Sequence, residues 1–418
     1  MPVPMPDAST RLHTRPTAEE AQFTAVGVAS AVAPAGGLTD VQRVLIEALF
    51  PALTEHAVDV ADYVPLTPLE FATGLARRDE QFRTRGVQVM LLCALVLRPL
   101  PPEVVDRVNA FAAELGVQEG MLEVAQRFAA GSLGLAAIDF ERNGYTSEWR
   151  AEDAHALHTS SELASAWEAS CDDPALAARW AALGDLPEGT IGKLVWQMYR
   201  ARGFAWPGQP GSAPPLLAQH DWVHVLAGFG TTVESELEVF AFISRANDDM
   251  RAFSLLAMVI SLFETGYLRT GAGLFEYDTG HLSAGEGMAV RVADAMGRGA
   301  RCKDVLAPPP GPGETDSIDY LQLDWFALAD QPVDDLRARF SVPPKSAAAV
   351  AAGSVTAWEP GGIRPFQLAS GQAQAERDGR PYESFGAQLP SGAESLPGAE
   401  VDVDVDAEVV DHEVDQAS

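Results

Sequence analysis

The chain has 418 residues, 47% of them hydrophobic, which is enough for two ordinary domains and a sizeable core. A net charge of −30 excludes a nucleic-acid partner held through its phosphates and disfavours electrostatic docking on anionic lipid. Three distant cysteines, Cys93, Cys171 and Cys302, follow no disulfide or zinc spacing and fit a reducing cytoplasm. Neither a secretory leader nor a membrane span is expected: the longest apolar run, around 253–263, is about half the length a bilayer crossing needs.

In chain order, residues 1–37 are rich in Pro, Ala and Thr without steady periodicity and read as a disordered arm. From Leu38 the pattern turns helical. Thr39 to Gln42 can form a capping box, and Val44, Leu45, Ala48 and Leu49 recur at helical spacing. Further helices are predicted at 68–75, 83–97, 102–115 and 119–128, completing a helical unit over 38–142. Asn143-Gly144 and the polar stretch after it read as a joint. A second unit, 165–343, carries predicted helices at 163–169, 174–183, 189–202, 215–227, 232–244 and 248–268. Later ones are predicted at 284–297 and 318–340. Residues 346–418 read as a disordered tail, with nine acidic residues and no Lys or Arg from Glu394 onward. The fold class is therefore all-α, two helical units between disordered termini.

The residues that point to chemistry are His220-Asp221-Trp222-Val223-His224. Positions four apart share one helix face, so His220 and His224 can present two imidazoles to one metal ion. Asp221 is a third oxygen ligand or an orienting group behind an imidazole. Gly228-Phe229-Gly230 should end that helix, and Thr231-Thr232 should cap the next, with Glu234 as the capping-box acid. Glu236 would then return to the level of the histidines across a helical hairpin. The expected site is a divalent-metal centre, with zinc the favoured ion. Trp222 should pack beneath the ligand helix and fix it. A zinc protease would need Glu in place of Asp221, which is one methylene too short for the general base. A His-Asp metal phosphohydrolase would draw on His155 or His158, which fall in the joint. His281 lies in a loop that could approach the site. The glycines at 271–273 and 280–287 follow no strand and do not read as a dinucleotide fingerprint.

The pattern H-D-x-x-H, eleven residues, then Glu resembles the signature of the Coq-four family of ubiquinone biosynthesis. His220, Asp221, His224 and Glu236 match it with its spacing. Leu186-Pro187-Glu188-Gly189-Thr190-Ile191-Gly192 is similar to that family's L-P-x-G-T-L-G segment. Asp324-Trp325, Pro332 and Asp335-Leu336-Arg337 are similar to its closing helix. The resemblance spans about residues 174–342, and the 38–142 unit faintly resembles a TerB-like helical domain. The resemblance implies a metal-binding helical fold that takes a prenylated aromatic or isoprenoid ligand and decarboxylates or hydroxylates its ring, together with other biosynthetic enzymes. A non-enzymatic isoprenoid-binding scaffold is the alternative. Phe253, Leu256, Met258, Ile260 and Phe263 could line a groove for the prenyl chain, although ordinary core is the more common role of such a stripe. The expected location is the cytoplasm, with at most peripheral contact at the inner face of the membrane. A homodimer is a further expected partner state.

Overall fold

A computed structural model describes residues 16–97, 100–117, 173–209, 212, 218–247, 256, 286–308 and 317–389. Among these residues the chain is all-α, with fourteen α-helices and no strand beyond one isolated bridge between Thr190 and Pro332.

The N-terminal unit contains α1 (Ala18–Val32), α2 (Asp40–Thr54), α3 (Pro68–Gly74), α4 (Glu80–Leu95) and α5 (Pro102–Leu115). The expected arm is thus corrected from Ala18 onward. Thr17 and Glu20 form a reciprocal capping box at the start of α1, with bonds of 3.2 and 2.9 Å between each side chain and the other's backbone N–H. Helix α1 lacks an amphipathic stripe because it is buried on most sides by α2, α3, α4 and α5. Small residues permit this: Ala21, Ala25, Val28, Ala29 and Val32 are inaccessible to solvent. Gly27 of α1 leaves space for the Phe71 ring of α3, where a Cβ would approach Phe71 to 2.1 Å. Gly74 of α3 in turn accommodates Phe23 of α1, and the two rings stack at 5.7 Å. The predicted capping box of α2 is present at Thr39 and Gln42.

The C-terminal unit runs through α6 (Pro174–Ala182), α7 (Ile191–Arg202), α8 (Gln219–Ala227), α9 (Val233–Ala246), α10 (Glu286–Gly299), α11 (Trp325–Leu328) and α12 (Val333–Arg339). The single helix expected at 318–340 is broken into α11 and α12. Pro332 cannot donate to a continuing helix, and its neighbour Gln331 instead accepts from the Ile191 N–H at 3.0 Å. Two further helices, α13 (Ala347–Ala351) and α14 (Pro365–Arg377), correct the expected disordered tail as far as residue 389. This stretch is ordered by burial: Ala349, Ala357, Ile363, Arg364 and Gln367 are all buried, and α14 packs on α7. Expected helices at 119–128, 163–169 and most of 248–268 lie outside the described residues, as does the acidic end of the chain.

The units do not keep separate cores. Helix α10 packs on α2 by one side and on α9 by another, and the buried apolar side chains form one cluster from Ala21 to Ala357. Each fully buried Leu, Val or Phe contributes about 1.5–3 kcal/mol, so this shared surface holds the two units as one body.

Candidate metal centre

Helix α8 presents the two histidines, and the turn after it brings the acid back. Gly228 adopts φ +75°, a left-handed conformation that ends α8 with its N–H on the His224 carbonyl. Thr232 then caps α9 by accepting from the Ser235 N–H at 3.2 Å. This corrects the expected box with Glu234: the cap falls one residue later, so the third helical position is Ser235. Glu236 occupies the first turn of α9, where the helix dipole favours a carboxylate.

The four residues meet as the spacing implied. Glu236 Oε2 lies 3.2 Å from His220 Nε2 and 3.3 Å from His224 Nε2, and Asp221 Oδ1 lies 3.5 Å from His220 Nε2. His220, Asp221 and His224 are buried and can each offer a ligand atom within 4.8 Å of the others. Glu236 is outside that mutual set but bridges both imidazoles. The spacings exceed those of a charge-assisted hydrogen bond, about 2.7–2.9 Å. They match the edge of a tetrahedron around an ion with zinc-like bonds of about 2.0–2.1 Å, which is roughly 3.3 Å.

Two supports orient the donors. His224 Nδ1 lies 2.6 Å from the Gly230 carbonyl. A carbonyl only accepts, so Nδ1 carries the proton and Nε2 faces Glu236. His224 Nε2 is buried without a hydrogen bond of its own. An imidazole with its far nitrogen tied to a carbonyl and its near nitrogen turned to acids is the arrangement of a metal ligand. The Tyr199 hydroxyl donates to Asp221 Oδ2 at 2.5 Å, leaving Oδ1 toward His220. Burial, and then the Asp221 carboxylate, pushes the Tyr199 phenol well above its ordinary value, so it remains a donor. Tyr199 was not legible in the sequence. It lies on α7, 22 residues before its partner, without a motif of its own. Burial would raise the Glu236 carboxyl; positive charge on the His224 and His220 side outweighs it and holds the group well below the usual carboxylate range. With neutral imidazoles that charge would have to come from a cation. The donor set therefore fits a divalent cation: two imidazoles and one or two carboxylates.

The base of α8 is aromatic. Trp222 stacks on Trp325 at 5.7 Å with planes 5° apart, and Trp180 and Phe326 also pack on it. The C-terminal carbonyls of α8 are held by arginines: Arg337 donates to Val225 and Leu226, and Arg298 donates to Ala227. Of the candidate prenyl-groove residues, Leu256 is fully buried; Phe253, Met258, Ile260 and Phe263 lie outside the described residues, as do His155, His158 and His281. No helix among the described residues is long and apolar enough to cross a membrane. Comparison of the chain with family models, curated proteins and solved structures gave no match.

Proposed function

We propose that the C-terminal unit is a divalent-metal centre, with zinc the favoured ion, that acts on the ring of a prenylated hydroxybenzoate-like substrate in quinone biosynthesis. The observation that carries the metal part is the convergence of His220, His224 and Glu236, with His224 Nε2 buried, tautomerically fixed and without a hydrogen bond. His220, His224 and Glu236 would hold the ion, and Asp221 would be a fourth or supporting ligand. A divalent cation there would polarise a phenolate or carboxylate oxygen and lower the pKa of a bound water. Tyr199 keeps Asp221 oriented, and the Gly230 carbonyl keeps the His224 proton away from the site. The choice of ring and prenyl chain rests on the resemblance of the His-Asp-His-Glu pattern and its flanking segments to the Coq-four family. The same reading puts the protein in the cytoplasm, in peripheral contact with the membrane that holds such substrates.

Elemental mass spectrometry of purified protein, beside a His220→Ala, His224→Ala variant, tests the centre. About one metal per chain in the wild type, lost in the variant, is the expected result. A wild type that carries no metal and takes up none from added zinc, manganese or iron sinks it. Carbon dioxide release or ring hydroxylation with a prenylated hydroxybenzoate separates an enzyme from a scaffold, which would retain the ligand without turnover.

A further inference from the structure

The metal pattern ends at Glu236, yet the hydrogen bonds that aim His224 continue into a segment 131 residues beyond Thr231. The Gly230 carbonyl that takes the His224 proton shares a peptide plane with the Thr231 N–H. That N–H donates to the Gly362 carbonyl at 2.9 Å. The Gly230 N–H donates to Val355 O, also at 2.9 Å. Thr231 Oγ1 donates to Gln367 Oε1 at 2.8 Å, and Gln367 Nε2 donates back to the Thr231 carbonyl at 2.9 Å. Arg202, fully buried, ties the two sides together: Nε donates to Thr231 Oγ1 at 2.5 Å, and Nη2 donates to the Ala357 and Gly362 carbonyls at 2.9 Å each. The backbones are in close approach, since a Cβ on Gly230 would stand 2.9 Å from Gly362 Cα.

We infer that residues 355–367 are a positioning element of the metal centre, fixing the Gly230–Thr231 peptide and, through it, the tautomer and aim of His224. The inference rests on the metal reading above. The physical route is cooperative hydrogen bonding: donation by the Thr231 N–H to Gly362 polarises the peptide and makes the Gly230 oxygen a stronger acceptor. A stronger acceptor at Nδ1 orients the ring and raises the basicity of Nε2, the atom that faces Glu236. The hydrogen bonds of Val355, Ala357, Gly362 and Gln367 run to the Gly230–Thr231 turn and to Arg202, and Arg364 of the same segment acts electrostatically on Glu236.

The test uses the full chain with Zn²⁺ and Co²⁺ as probes. Thr231→Val deletes the hydroxyl bonds to Arg202 and Gln367 at nearly constant shape, Gln367→Met deletes the return bond from the other side, and Thr231→Ser keeps the hydroxyl. Both deletions should weaken zinc affinity by about 10–100-fold in a chelator competition and change the visible absorption of the Co²⁺ form; Thr231→Ser should restore both. Because coupling is reciprocal, zinc added to the wild type should also slow amide hydrogen exchange in residues 355–367. That measurement needs no variant to fold. Deletion variants with lowered melting temperature but wild-type zinc affinity and Co²⁺ spectrum would overturn the proposal and leave the segment a purely structural brace. A wild type that binds neither ion would instead overturn the metal reading, and this inference with it.

Discussion

The two ends of the shared core are made of different materials. In α1 to α5 the deeply buried side chains are nearly all apolar or small, and the fully buried polar exception, Gln42, spends its amide on the carbonyls of Val32 and Cys93, both at 2.9 Å. In the C-terminal unit Arg202, His224, Ser235 and Ser244 have no exposure and Glu238 has 1%. The first region is held by shape and tolerates little change in volume. The second is held in part by buried polar contacts such as Glu238–Arg291 and Arg202–Thr231 and tolerates little change in partner, because an unpaired charge in a low dielectric costs more than a lost contact. The second construction surrounds the histidine helix.

The sharpest way to break this comparison is the buried pair Glu238–Arg291, whose Oε2 and Nη2 are 2.6 Å apart. Glu238→Ala leaves the guanidinium stranded and should cost about 3–5 kcal/mol in a denaturant melt. Combining Glu238→Leu with Arg291→Met should recover most of that loss; a double variant as unstable as the single one would show that the helices, not the charges, set the cost. Next in size is Gly27→Ala, which drives a methyl into the Phe71 ring and should cost about 1–3 kcal/mol while leaving zinc affinity unchanged. A loss of metal with that variant would erase the division of labour between the two regions.

A smaller effect is expected from Lys345. Burial pushes its ammonium down from the ordinary 10.5 to about 8, with Arg298 and Arg291 adding to the fall and Glu238 and Glu359 opposing it. Between those values the unfolded chain binds more protons than the folded one, so stability should rise with pH from about 8 to 10.5. Lys345→Met should flatten that rise relative to the wild type in melts across the range. Least of all, Arg43→Ala removes exposed contacts to Asp40 and Glu47 on α2 and should change stability by no more than about 0.5 kcal/mol.

The histidine–carboxylate cluster was legible because its four residues obey local rules. Spacing of four on α8, a glycine turn and a capped α9 place them without help from elsewhere. The caps of α2 and the proline start of α5 were legible for the same reason. Helix α1 was hidden because burial on most sides removes the polar face that periodicity detects, although Thr17 and Glu20 mark its start. Residues 346–389 were hidden because alanine, glycine and serine look unstructured until their partners are known. Those partners, Thr231, Arg202 and Ala201, stand 131 to 181 residues earlier. Tyr199 was missed because a tyrosine on a buried helix is ordinary until Asp221 lies opposite it.

Helix α10 joins the two regions of the core. It lays Met288, Val292, Ala295 and Met296 into the core between α2 and α9, and its Arg291 reaches Glu238 on the latter. A chain cut between residues 117 and 173 would leave one fragment with the bare face of α2 and the other with the bare stripe of α10. Each fragment should be poorly soluble by itself, and the two carry complementary halves of one surface. Co-expressed as separate polypeptides, they should find each other and assemble as a split protein, in which metal uptake reports reassembly.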